Sequence, residues 1–144
     1  MNHLELKEFL DEKVLLYNHP RFIESDPIQI PHLYTLKEDI EIAGFLTATI
    51  SWGNRKMIIS NSKKLMAKLG NSPYDFVMNH NENDLEKVSD FVHRTFNGND
   101  CIAFIKALKN IYQYHNGLES VFSKNIHSNT LQQNISNFKS VFFP

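Results

Sequence analysis

The sequence predicts an all-α protein, a compact and non-repetitive bundle of about six to eight helices. Three observations predict it. Apolar residues recur at spacings of three and four through most of the chain, the period of a helix with one buried face. No segment shows the strict alternation of a half-buried strand. Five Gly and five Pro among 144 residues are too few for the many short turns of a sandwich. The length suits one domain, 1–144, with a sizeable core. Hydrophobic residues make up 42% and charged residues 22%, ordinary values for a globular chain.

Leu4, Phe9, Leu10, Val14 and Tyr17 give a first helix, which Asn18-His19-Pro20 ends because Pro cannot continue it. Residues 21–36 carry Asp26-Pro27 and Pro31-His32 and read as a long extended connection without regular structure, anchored to the core. From Asp39, the residues Ile42, Phe45, Leu46, Thr49 and Ile50 predict a buried helix. Ile58, Leu65 and Leu69, with Ile59 and Met66, predict another that ends at Gly70. Trp52-Gly53-Asn54 joins the two in a sharp reversal, with Gly suited to ending a helix and Asn to capping the next.

Ser72-Pro73 begins a short helix through Met78, with Ser as cap and Pro at the first position. A polar tract from Asn79 to Asn83 follows, and Leu85 and Val88 suggest a further turn. In Phe91 to Asp100, Asn97-Gly98 signals a turn and Asn99 or Asp100 a cap. Cys101, Ile102, Phe104, Ile105, Leu108, Ile111, Tyr112 and His115 then form a clean apolar stripe closed by Asn116-Gly117. A brief helix covers Leu118 to Phe122, and Ser128 caps a last one through Leu131, Ile135, Phe138, Val141 and Phe142. The apolar ending Phe142-Phe143-Pro144 predicts a chain that continues past this point, as the N-terminal part of a longer protein.

Charge is segregated along the chain. Residues 1–41 hold four cations and nine acids, and 75–100 hold two cations and six acids. Between them, 42–74 hold five cations and no acid, and 101–144 hold four cations and one acid. A net charge of −1 therefore conceals a basic face, and the face is what a phosphate meets. Arg55 and Lys56 open a helix, where the dipole is already positive and each costs about 0.3–1 kcal/mol relative to an acid. Breaking a local rule in this way marks a candidate site. Free amide N–H groups at the helix start, two cations and the Trp52 indole would together receive an anion such as a phosphate.

Several classes are excluded or unsupported. The acidic, amphipathic start MNHLELKEFLDEK is no signal peptide, and no apolar run approaches the eighteen or so residues of a membrane span. The single Cys101 excludes an internal disulfide and fits a reducing cytoplasm. Its place in an apolar stripe favours a buried thiol over a nucleophile. Seven His occur without ligand spacing, so neither a metal nor another cofactor is expected. No Ser-His-Asp order, phosphate-binding loop or dinucleotide fingerprint is visible.

The candidate nucleic-acid contacts are Trp52, Asn54, Arg55, Lys56, Lys63 and Lys64, with His93, Arg94 and Asn97 as a second group on a polar turn. Trp52 either stacks on a base, worth about 1–3 kcal/mol, or covers the helix joint. Arg94 either meets phosphate or pairs an acid such as Asp26, and Asn97 either contacts ligand or supplies the turn. Asp26 and Asp39 are weaker candidates as catalytic carboxylates, since Asp26 can build a turn and Asp39 can begin a helix.

DPI at 26–28, PH at 31–32, DIEIAGF at 39–45, SWGNR at 51–55, SP at 72–73 and HRTFNG at 93–98 together resemble a bacterial family, domain of unknown function 2400. The likeness runs over nearly the whole chain and implies a longer protein whose later part adds a further basic helix. FLTATISWGNRKMIISNSKKLM is also similar to the early helix pair of helix-hairpin-helix DNA glycosylases. Ile50 and Ser51 match that pattern, whereas Gly53 stands where those enzymes often carry Gln. Their catalytic Asp and Lys lie in later sequence. This second resemblance implies a shared helical scaffold and nucleic-acid contact, with excision chemistry only in a longer parent.

The expectation is a cytoplasmic helical domain that binds DNA or another phosphate-bearing ligand. The alternative is a non-enzymatic interaction module that docks another subunit, as a homo-oligomer, or its own missing C-terminal half. No membrane partner is expected.

Overall fold

The structure, a computed structural model, describes residues 1–124 and 131–143. Its helices are α1 (His3–Tyr17), α2 (Pro20–Ser25), α3 (Lys37–Thr49), α4 (Arg55–Leu69), α5 (Pro73–Asn79), α6 (Glu82–Glu86), α7 (Gly98–Tyr114), α8 (Gly117–Ser123) and α9 (Gln132–Phe142). Two short 3-10 turns, Pro27–Gln29 and Pro31–Leu33, lie between α2 and α3. The fold is all-α apart from a two-residue antiparallel ladder, β1 (Val92–His93) with β2 (Phe96–Asn97).

The core is built around α3 and α7. Ile42, Ala43, Leu46 and Ile50 of α3 and its C-cap, and Cys101, Ile105, Leu108 and Ile111 of α7, are all essentially inaccessible. They share one cluster with Leu65, Met66 and Leu69 of α4 and with Ile30, Val77, Leu85, Val88 and Phe91. Phe45, Phe104, Phe138 and Phe142 fasten α9 against α3 and α7, with ring centroids 4.9–6.0 Å apart where they meet, in the offset and edge-on arrangements aromatic rings favour. Ile135 and Leu131 of the predicted last stripe are exposed, and Asn134 takes a buried place, donating to the Phe122 carbonyl. The predicted cap Ser128 lies outside the described residues.

The predicted helix pair forms as α3 and α4. Gly53 holds φ at +114°, a region closed to most side chains, and the Asn54 side chain caps α4. Gly70, at φ +78°, closes it. Ser72 caps α5 with Pro73 at its first position. Asp39 does more than begin a helix: it is buried, and one carboxylate oxygen accepts from Ser72 Oγ and from the Tyr74 amide, both at 2.8 Å. That contact ties the start of α3 to the start of α5.

Residues 21–36 are not the extended connection the sequence suggests. His19 Nδ1 accepts from the Arg21 amide at 3.1 Å, and Pro20 takes the first position of α2, where a missing N–H costs nothing. Pro27 and Pro31 each open a 3-10 turn in the same way. Each of these three prolines stands at the start of an element. The Asn97-Gly98 turn is also displaced. The chain reverses at Arg94-Thr95, and Asn97 caps α7 by accepting from the Asn99 and Asp100 amides while Asp100 accepts from the Asn97 amide. Gly98 enters α7 so close to Ser89 that a Cβ would sit 1.9 Å from its carbonyl oxygen.

The first helix forms but buries nothing. Leu4, Leu10, Val14 and Leu15 of α1 are each more than half exposed.

Candidate nucleic-acid interface

The α3–α4 joint and the β1–β2 hairpin meet at Trp52. The indole is 40% exposed, so it neither floats free nor is lost in the core. The Arg94 guanidinium lies over it, 4.8 Å from the ring centroid, a cation–π contact. The edge of His93 meets it at 6.0 Å and 83°. Arg94 holds φ at +57°, an uncommon conformation for a long side chain. Gly53 leaves room for it, because a Cβ there would lie 2.5 Å from an Arg94 terminal nitrogen.

His93 is 1% exposed and acts from beneath the joint. Its Nε2 lies 3.3 Å from the Trp52 carbonyl, and its Nδ1 lies 2.9 Å from Asn61 Nδ2. A carbonyl can only accept, so Nε2 carries the proton and Nδ1 accepts from the Asn61 amide. His93 is therefore a fastener between hairpin, joint and α4, not a surface contact. The Asn97 side chain is committed to the α7 cap. The predicted trio is thus divided: His93 and Arg94 join Trp52, and Asn97 does not. Asn61 carried no sequence signal, because its partner is on a hairpin far along the chain.

The helix entrance also differs from the expected anion cradle. Asn54 Oδ1 accepts from the Lys56 amide at 3.0 Å and the Met57 amide at 3.3 Å, so these N–H groups are already satisfied. Of the entrance, the side chains and the Arg55 amide are what an anion could still meet. The first turn of α4 contains no acid. Arg55, not Arg94, approaches Asp26, at 3.9 Å, and its guanidinium carbon stands 5.9 Å from the Phe22 ring centroid. Lys56, Lys63 and Lys64 are exposed along α4 and have no acidic partner among the described residues. Lys68 is engaged, donating to Asp90 at 2.7 Å and to the Lys87 carbonyl at 2.8 Å.

Beside this entrance runs a cleft of about 760 Å³ between the two 3-10 turns and α3, with Gly53 and Arg55 at one end. Its walls include Ile28, Pro31, Ile40, Phe45, Ala48 and Ile58. Asp26, Glu41, Thr47 and Ser51 supply polar groups. Glu41 Oε2 accepts from the Tyr112 hydroxyl at 2.7 Å; burial, and then that bond, push the phenol well above its usual range, so it remains a donor. Ser51 Oγ donates to the Thr47 carbonyl at 2.7 Å. No group of three or more His, Cys, Asp or Glu side chains converges as a metal site among the described residues, and no helix there is long and apolar enough to cross a membrane.

A family model, "Protein of unknown function (DUF2400)", matches residues 26–144. The chain belongs to that family. The DUF2400 match begins at Asp26, the first residue of the cleft, and leaves α1 and α2 outside. No curated protein and no solved structure matches the chain, so the likeness to glycosylases gains no support from either. Within this DUF2400 chain, five of the six segments that carry the family resemblance meet at or beside the cleft, Ser72-Pro73 lying outside its lining. Asp26-Pro27-Ile28, Pro31, parts of 39–45 and parts of 51–55 all line the cleft, and Arg94 of 93–98 closes over Gly53.

Proposed function

We propose that this protein binds nucleic acid through the exposed face of α4, with Trp52 and Arg94 at one end of it. One observation carries the reading: three lysines without acidic partners among the described residues share a helix with a half-exposed indole and guanidinium at its entrance. Lys56 and Lys63 stand about 10 Å apart along the axis at 1.5 Å per residue, a spacing a phosphate backbone can follow. Lysine side chains position a strand and carry no sequence code. The indole and the Arg94 plane offer surfaces on which any base can stack.

Fluorescence anisotropy of a labelled single-stranded oligonucleotide, titrated at several salt concentrations, tests this. The expected log–log slope for single strands is about −0.7 per phosphate contacted. Replacing Lys56, Lys63 and Lys64 by Ala should flatten it by about two. A slope unchanged by the triple substitution, or no binding at low salt, refutes the reading.

A second reading, docking of a second copy through α1, is favoured by the exposed Leu4, Leu10, Val14 and Leu15. Large apolar side chains exposed together on one helix commonly mark an interaction face. Light scattering over a dilution series separates the two, since a constant monomer mass defeats the second.

A further inference from the structure

The cleft beside the α4 entrance is not needed for backbone contact, and its chemistry is unlike that of the lysine face. We infer that it is a nucleotide site, taking an amino-bearing base between its apolar walls with the phosphate at Arg55. The inference rests on the nucleic-acid reading for the source of that nucleotide when it belongs to a strand; a free nucleotide carries the same chemistry.

Size comes first. About 760 Å³ falls in the range of small-molecule sites, roughly 300–1,000 Å³, and exceeds what a single side chain or water needs. The walls suit a flat, largely apolar body: Ile28, Pro31, Ile40, Phe45 and Ala48 bring no charge. Gly44 lines the cleft without a side chain, and a Cβ added there would meet Pro31 at 3.8 Å, an ordinary contact.

The polar groups are mostly acceptors. Glu41 holds one oxygen on Tyr112 and has a second, 3.9 Å from Lys37 Nζ, too long for a hydrogen bond. Asp26 uses one oxygen on the Ile28 amide at 3.0 Å, and its other is 3.9 Å from Arg55. Thr47 is 3% exposed, and its hydroxyl has no hydrogen-bond partner among the described residues. A buried hydroxyl left so is uncommon and calls for a partner. Acceptors in excess within apolar walls select a ligand that presents N–H donors, as the exocyclic amino group of a purine or pyrimidine does. Arg55 is the cation among the lining residues, and a phosphate would emerge toward solvent beside it.

The test uses the full chain and three probes: a single strand with one central 2-aminopurine, the same strand with an abasic residue there, and free adenosine 5′-monophosphate. The expected result is that the base-bearing strand binds about tenfold more tightly than the abasic one, and that Gly44→Leu, which fills the slot, abolishes the difference. Should Gly44→Leu lose its helical circular dichroism, Glu41→Gln replaces it, with the difference expected to shrink. Equal affinity for the base-bearing and abasic strands overturns the site while leaving strand binding standing. Binding of the free nucleotide alone, sensitive to Gly44→Leu, supports the site and refutes strand binding. Binding of none of the three overturns both.

Discussion

The Arg94 guanidinium rests 4.8 Å above the Trp52 ring although the two residues belong to different supersecondary units, a hairpin turn and a helix joint. The contact depends on two unusual backbones: Arg94 at φ +57° and Gly53 at φ +114°. The two positive φ angles, with His93 buried beneath, hold a cation over an indole at the mouth of the cleft. Uncommon backbone conformations of this kind are held only where surrounding structure enforces them.

Substitution at Arg94 should separate strain from stacking. Arg94→Ala keeps the left-handed backbone and loses a contact worth about 0.5–1 kcal/mol at an exposed site. Arg94→Gly loses the same contact but relieves a backbone cost of the order of 1 kcal/mol. Urea denaturation should therefore place Arg94→Ala below the native chain and Arg94→Gly close to it. The reverse order would mean that Arg94 is unstrained.

The glycines at 53 and 44 make an opposed pair. Gly53→Ala introduces a Cβ 2.5 Å from Arg94 at a φ that alanine avoids, and should cost about 1–3 kcal/mol with a shift in Trp52 emission as Arg94 is displaced. Gly44→Ala sits inside α3 with its nearest neighbour at 3.8 Å. It should stabilise the helix by about 0.5–1 kcal/mol. Thermal melts of the two variants check both signs.

Asn97 is predicted to matter for stability and not for ligand. Asn97→Ala removes the oxygen that caps two α7 amides and should cost about 1 kcal/mol, with oligonucleotide affinity unchanged once the protein is folded. Loss of affinity at full helicity would return Asn97 to the interface.

Much of the fold was legible because its signals are local. Gly53-Asn54 marks the α3–α4 joint through one left-handed position and one cap, and the stripe from Cys101 to Ile111 needs only its own spacing. What was hidden depends on partners distant in sequence. Asp26, Glu41, Gly53 and Arg94 come together only when the chain folds, so neither the cleft nor the choice of Arg55 over Arg94 as the partner of Asp26 could be read from spacing. The β1–β2 ladder is too short to show alternation, and Arg94 gives none of the usual glycine signal for a turn with positive φ. Pro20, Pro27 and Pro31 looked like breakers because a proline that opens a helix and one that ends it are the same residue; His19 and Asp26 cap the first two, and Ile30 before Pro31 supplies no side-chain cap.

Cys101 gives a pH dependence of definite sign. Burial pushes its thiol up to about 12, above its ordinary value near 9. The folded chain keeps the proton that the unfolded chain releases, so this stability is complete below about pH 9 and is lost as pH rises toward 12. At pH 10.5 the loss should approach 2 kcal/mol, about 1.4 kcal/mol for each unit above 9. The difference between the native chain and Cys101→Ala in urea melts isolates it from the other alkaline groups.

Trp52 is the single tryptophan of the chain, and it stands where a strand is proposed to pass. Its intrinsic fluorescence, followed while a single-stranded oligonucleotide is added at low salt and then while salt is raised, reports directly on strand binding at this face. Saturable quenching is expected, reversed by salt and weakened by Lys56→Ala. Emission that stays constant through saturation of a strand known to be bound would place the interface elsewhere on the molecule.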